Sequence, residues 1–201
     1  MNFLENFADT ITSGINNCML GKIESFNAET MKANVMPLVK NKNKDDTFED
    51  ISMLIEVPVS LIRAGPFVIR PPYKSGDTVL VVFADSDIEN TLLSGDTSEP
   101  NSTRRHSLDD AIVVGGIMPF TIALPDEHSE DLVIAKDDFT SKIVLGDDGS
   151  IEIKSDKQIS ICGPTKDDFT SKLVLSEDGS MELSSSKQIT ISGPTETSTW
   201  N

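Results

Sequence analysis

The residues of this chain whose types could do chemistry are two histidines, two cysteines and a few acidic runs. His106 sits in Arg104-Arg105-His106-Ser107-Leu108-Asp109-Asp110, and His128 stands in an acidic stretch. Neither has a partner at metal-ligand or catalytic-triad spacing. An arginine pair followed by an aspartate pair reads as structural ion pairing. Asp147-Asp148-Gly149 and Glu177-Asp178-Gly179 resemble calcium loops but lack the ligand count, and tight turns between strands explain them. Cys18 and Cys162 lie far apart in sequence, and Ser192 holds the position equivalent to Cys162 in a repeat described below. A small buried side chain is the better reading of Cys162 than a metal or disulfide role. No glycine-rich phosphate cradle and no nucleophile elbow appears. The expectation is therefore no catalytic residue, no metal, no cofactor and no enzyme activity.

The elements around these residues carry more information. Lys136–Thr165 and Lys166–Thr195 are one thirty-residue block written twice, with 21 of 30 positions identical. A fixed period of this length signals a stacked, elongated architecture. Each block alternates with period two, as strands do. Phe139, Ser141, Ile143 and Leu145 are expected on one face. Ile151 with Ile153, and Ile159 with Ile161, make two further apolar rows. The second block repeats them as Leu173 and Leu175, Met181 and Leu183, then Ile189 and Ile191. Turn signals at Asp148-Gly149, Ser155-Asp156-Lys157 and Gly163-Pro164 separate the rows, giving about three strands per block.

Each strand offers only two or three apolar residues on one face, and two repeats are too few for a solenoid that stands alone. Three chains around one axis would bury the apolar rows in a shared centre. The predicted trimer core is thus Ile143, Leu145, Ile151, Ile153, Ile159, Ile161, Leu173, Leu175, Met181, Leu183, Ile189 and Ile191. Six strands stacked crosswise at about 4.7 Å would make a rod about 30 Å long. Strong block identity favours winding about a threefold axis; the Asp-Gly signal favours an antiparallel zigzag. Both topologies stay open, with winding preferred.

Composition narrows the partners. The net charge of −16 argues against nucleic acid. The N-terminal residues place Glu5 and Asp9 where a secretory signal needs basic residues, so no signal peptide is expected. The longest uncharged stretch, Ala111–Pro125, is too short for a membrane span. Phe3, Phe7, Ile11 and Ile15 recur at helical spacing over residues 1–18. Such a helix either docks on its own domain or serves as a contact for a neighbouring hub subunit. Strand-like segments follow at Met19–Phe26, Met31–Leu38, Ile55–Ile62, Thr78–Phe83 and Ala111–Ile117, enough for a small OB-type barrel. Asn41–Asp50 and Ser94–Ser102 read as solvated loops, and Pro125–Asp131 as an acidic linker. Trp200 is either a tail residue or a cap on the tip of the rod.

Three runs carry a family resemblance. They are Ile55-Glu56-Val57-Pro58-Val59, then Gly65-Pro66-Phe67-Val68-Ile69-Arg70-Pro71-Pro72, then Ser75-Gly76-Asp77-Thr78-Val79-Leu80-Val81-Val82-Phe83. With Asp85-Ser86-Asp87-Ile88-Glu89 and the Arg104–Ile112 run, their order resembles the N-terminal OB domain of phage Gp138-type spike proteins. The resemblance covers roughly residues 15–120. It implies a homotrimeric spike at the tip of a contractile phage tail or a tail-like bacteriocin, with a membrane-piercing β-helical rod after the OB domain. Many such spikes end in a His-x-His pair that binds iron at the apex; this chain has no such pair, so no apical metal is expected. A Gram-positive host, or a spike that mainly plugs the tube, fits that departure.

The expected fold class is mainly β: an N-terminal helix (1–18), an OB barrel (19–125), a trimeric β-helix or β-prism spike (126–195) and a tip (196–201). The expected function is a baseplate spike that caps the tail tube and contacts or punctures the cell envelope. The implied partners are the chain itself, a baseplate hub protein and the bacterial envelope, not sequence-specific nucleic acid. The implied location is the tail tip, after assembly in the host cytoplasm. The alternative is a receptor- or glycan-binding baseplate module on a trimeric stalk.

Overall fold

The computed structural model describes residues 15–43, 46–162 and 171–185. Phe3, Phe7, Ile11, Ile189, Ile191 and Trp200 lie outside the described residues, as does the tip segment 196–201. The chain divides into two compact units, Met1–Ile122 and Ala123–Asn201.

The first unit is built on a five-stranded antiparallel sheet. Its strands are β1 (Cys18–Asn27), β2 (Lys32–Pro37), β5 (Leu54–Pro58), β8 (Thr78–Phe83) and β9 (Ala111–Gly116), in the order β5-β2-β1-β8-β9. Alternating β-branched residues explain the strands: Val79, Val81 and Phe83 of β8 point inward, while Thr78, Leu80 and Val82 are half-buried. The sheet curls because register breaks interrupt three of its ladders, and extra residues there bend the strands. The curl brings the two edges together. Val59, just past β5, forms a parallel bridge with Val113 of β9, and Ser60 N–H donates to the Val113 carbonyl at 2.8 Å. The core inside this curled sheet includes Ile23, Val35, Val57, Val79, Val81 and Val113. Gly21 is required where β1 crosses β2: a Cβ there would meet Val35 Cγ1 at 2.3 Å.

Two hairpins leave the curled sheet. β3 (Lys40–Lys42) pairs with β4 (Phe48–Asp50), within the segment expected to be a solvated loop. A charge pair hid the hairpin, because Lys40 faces Asp50 across the strands with Nζ 2.9 Å from the carboxylate. β6 (Ile62–Ala64) pairs with β7 (Phe67–Ile69) around Gly65-Pro66, and every residue of both strands is exposed. A short helix, α1 (Glu89–Ser94), follows β8 and ends on Gly95 in the left-handed conformation, φ 71°.

Among its described residues, the second unit holds two three-stranded sheets. β10 (Leu132–Ala135), β11 (Lys142–Leu145) and β12 (Ile151–Lys154) form the first. β13 (Ile159–Cys162), β14 (Ser171–Leu175) and β15 (Met181–Ser185) form the second. All pairings within each sheet are antiparallel, as the Asp-Gly signal implied. The turns decide this. Gly149 and Gly179 take φ of 84° and 80°, and each turn closes by a backbone bond, Gly146 N to Ser150 O and Ser176 N to Ser180 O at 2.9 Å.

Two further expectations are corrected. Phe139 does not share a face with Ile143 and Leu145. Its φ of 54° places it in a turn, and it is buried on the opposite side with Val144 and Lys142. Pro125–Asp131 is not a plain linker. His128–Asp131 forms a turn, Asp131 N to His128 O at 3.2 Å, that lays its side chains against the sheet.

Candidate functional site

Among the described residues, no group of three or more histidine, cysteine or acidic side chains is placed to hold a metal. The acidic runs are turns. Asp148 accepts from Ser150 N–H at 2.8 Å and Asp178 from Ser180 N–H at 2.9 Å. The serine hydroxyl and N–H together hold both carboxyl groups below the usual carboxylate range. Cys162 is exposed rather than buried, because the edge strand β13 leaves its outer face uncovered; Cys18 is also exposed.

The Arg104–Asp110 run builds a structural ion-pair cluster. Arg104 donates from Nε to Asp110 Oδ2 at 2.7 Å and from Nη2 to Asp110 Oδ1 at 2.9 Å. The same Nη2 lies 3.1 Å from Asp87 Oδ1, and Ile88 N–H donates to Asp110 Oδ1 at 3.1 Å. The Arg104 hydrogen bonds hold the fully buried Asp110 carboxyl below its usual range, and the same bonds push the Arg104 guanidinium up. Arg105 pairs instead with Asp85, and His106 Nε2 lies 3.4 Å from that carboxylate. This cluster ties the helix α1 connection to the start of β9.

His128 also has partners that spacing did not reveal. Its Nδ1 meets Asp131 Oδ2 at 2.8 Å, and Nε2 meets Lys142 Nζ at 2.6 Å. Lys142, 5 % exposed, is further neutralised by Glu127 Oε1 at 3.4 Å and Glu152 Oε1 at 3.8 Å. Asp131 is held below the usual range first by the Asp147 N–H it accepts and then by His128. The arrangement is a clasp: it satisfies a lysine that the β11 alternation forces onto the covered side.

The unusual surface is on the other side of these sheets. Register places Leu132, Leu145 and Ile151 side by side in one row, and Ile134, Ile143 and Ile153 in the next. All six side chains are exposed, Ile151 at 70 % and Leu132 at 63 %. The second sheet repeats the grid: Ile159, Leu175 and Met181 in one row, Ile161, Leu173 and Leu183 in the next. Of these, Ile159 and Leu173 are half-buried and the rest exposed. Ten of the twelve predicted core residues are therefore brought together on two matching apolar faces. Leu132 and Ile134 complete the first face and were missed, because they precede the repeated block. The repeat is cut differently in space: a sheet begins with the strand before Lys136-Asp137-Asp138, not with that run. Ile15, the described member of the proposed hub-contact stripe, is exposed at 42 %.

Apolar faces of this size are rarely left to water, and they mark surfaces that pair. The first unit gives the chain its kinship. Residues 19–116, the curled five-stranded sheet with its two hairpins and ion-pair cluster, match the family model of the phage protein Gp138 N-terminal domain. The chain carries the N-terminal domain of a Gp138-type phage protein. No curated protein matches it. The Gp138 domain assigns the chain a structural role in the phage particle, and the matched segment ends before both repeat sheets. No described helix is long and apolar enough to cross a membrane.

Proposed function

We propose that this chain is the homotrimeric central spike of a phage baseplate, with OB-type barrels forming a threefold collar and the two repeat sheets forming the rod. The observation that carries the reading is the pair of matching apolar grids behind a Gp138 domain. Each grid is a strip three strands wide and two residues deep. Packed around a threefold axis, three such strips give a dry triangular core and leave Glu152, Lys154, Glu182 and the loop charges facing water. Rigidity comes from the antiparallel ladders within each chain, and cohesion between chains comes from apolar packing. The role is mechanical: the spike caps the tail tube, meets the envelope first and transmits the force of tail contraction. A baseplate hub protein above the collar and the bacterial envelope below the tip are the partners this role requires. The low aromatic content, 5 % of the chain, gives a glycan-binding platform little to work with.

The deciding measurement is the mass of the full chain in solution. The expected result is three copies, with cooperative unfolding. A stable monomer with ordinary solubility overturns the spike reading.

A further inference from the structure

Among the described residues, nothing covers the apolar face of the β6–β7 hairpin. Register puts Ile62, Ala64, Phe67 and Ile69 on one face, and Phe67 is 78 % and Ile62 71 % exposed. A two-stranded hairpin is marginal in water unless its apolar face packs on something. Elsewhere on the same unit lies a cleft that no other described residue fills. A cleft of about 590 Å³ between β5 and α1 is floored by Pro58, Ile88, Leu92 and Ala111, and Leu93 stands at its lip 80 % exposed. The charges match. Residues 61–74, which carry the arm, hold Arg63, Arg70 and Lys74 and no acid, within a chain of net charge −16. The cleft lining holds Glu56, Glu89, Asp109 and Asp110 against Lys32 and Arg104, a net negative balance.

We propose that the β6–β7 arm of one copy docks in the α1 cleft of the next, closing the collar as a ring. The inference rests on the trimeric reading above. The two surfaces differ and both occur once on each chain, so the contact is heterologous, the kind that closes a ring under rotation. Opposite charges on arm and cleft wall set the register and disfavour arm–arm contact, which would bring basic segments together.

The test uses the full chain with Cys18 and Cys162 replaced by serine, carrying Phe67→Cys and Leu93→Cys, treated with a short thiol–thiol cross-linker. Both positions are exposed, so the fold should tolerate the changes; a cooperative melt checks this. Covalent trimers are expected from the double variant, and no linked species from either single variant. Adding Leu92→Asp should abolish the links. A trimeric mass with no covalent trimer, or a link within one chain, overturns the docking and leaves the spike reading standing. Linked dimers from Phe67→Cys alone, or an open ladder beyond three copies, also overturn it. A monomeric mass overturns both.

Discussion

Ile153→Asp combined with Leu183→Asp tests the shared core most directly. The two residues hold equivalent positions on β12 and β15, paired with Ile143 and Leu173. They are 53 % and 44 % exposed in the single chain, so the chain alone should barely register the change, within about 0.5 kcal/mol. An assembly would respond very differently. Burying the exposed half of such a side chain is worth about 1 kcal/mol, which each substitution forfeits. A desolvated carboxylate adds several kcal/mol more per site, at about six sites per trimer, with like charges converging on the axis. The sum far exceeds the margin of an assembly held together at micromolar concentration, about 8 kcal/mol. Light scattering should therefore report single chains at every accessible concentration. Hydrogen exchange should show the β1–β2–β8 amides as protected as before. A variant that remains trimeric would show that these faces are not the contact, and the shared-core argument would fall.

Other perturbations probe the parts that hold the surfaces in place. Arg104→Ala removes both bonds to the buried Asp110 and should cost the first unit about 3 kcal/mol, read as a lower melting temperature. The pH dependence has a definite sign. The folded carboxyl of Asp110 titrates below its unfolded value, so its contribution is present above about pH 4 and is lost as pH falls through the folded value. Asp110→Asn should flatten that acid limb in a melting series. Lys142→Met keeps the buried stem and removes the charge, and should stay within about 1 kcal/mol of the parent in denaturant titration. His128→Ala, which strips the ammonium of its acceptor at 2.6 Å, should cost about 2 kcal/mol. Gly21→Ala forces a methyl onto Val35 and should destabilise the curled sheet by about 1–3 kcal/mol without changing oligomer mass.

Much of the architecture follows from local pattern. The five segments expected as strands between Met19 and Ile117 all contain strands, because alternation and β-branching act over a few residues. The Asp-Gly turns were equally legible, since a left-handed glycine closes a two-strand connection whatever surrounds it. Features set by distant partners were not legible. The Lys40–Asp50 hairpin looked like a charged loop, since paired and solvated charges read alike in sequence. His128 looked solitary because Lys142, its partner across the clasp, lies fourteen residues away.

By itself the sequence determined which side chains of the repeat share a face, because the period of a strand is two. It could not determine which face the chain covers or where a sheet begins. The fold decided the first by burying Phe139, Lys142 and Val144, with His128 bonded to Lys142, which left the isoleucine and leucine grid bare. It decided the second by recruiting Leu132–Ala135, outside the repeated block, as the opening strand of the first sheet. Both choices depend on contacts between segments far apart in the chain, which alternation along one strand does not encode.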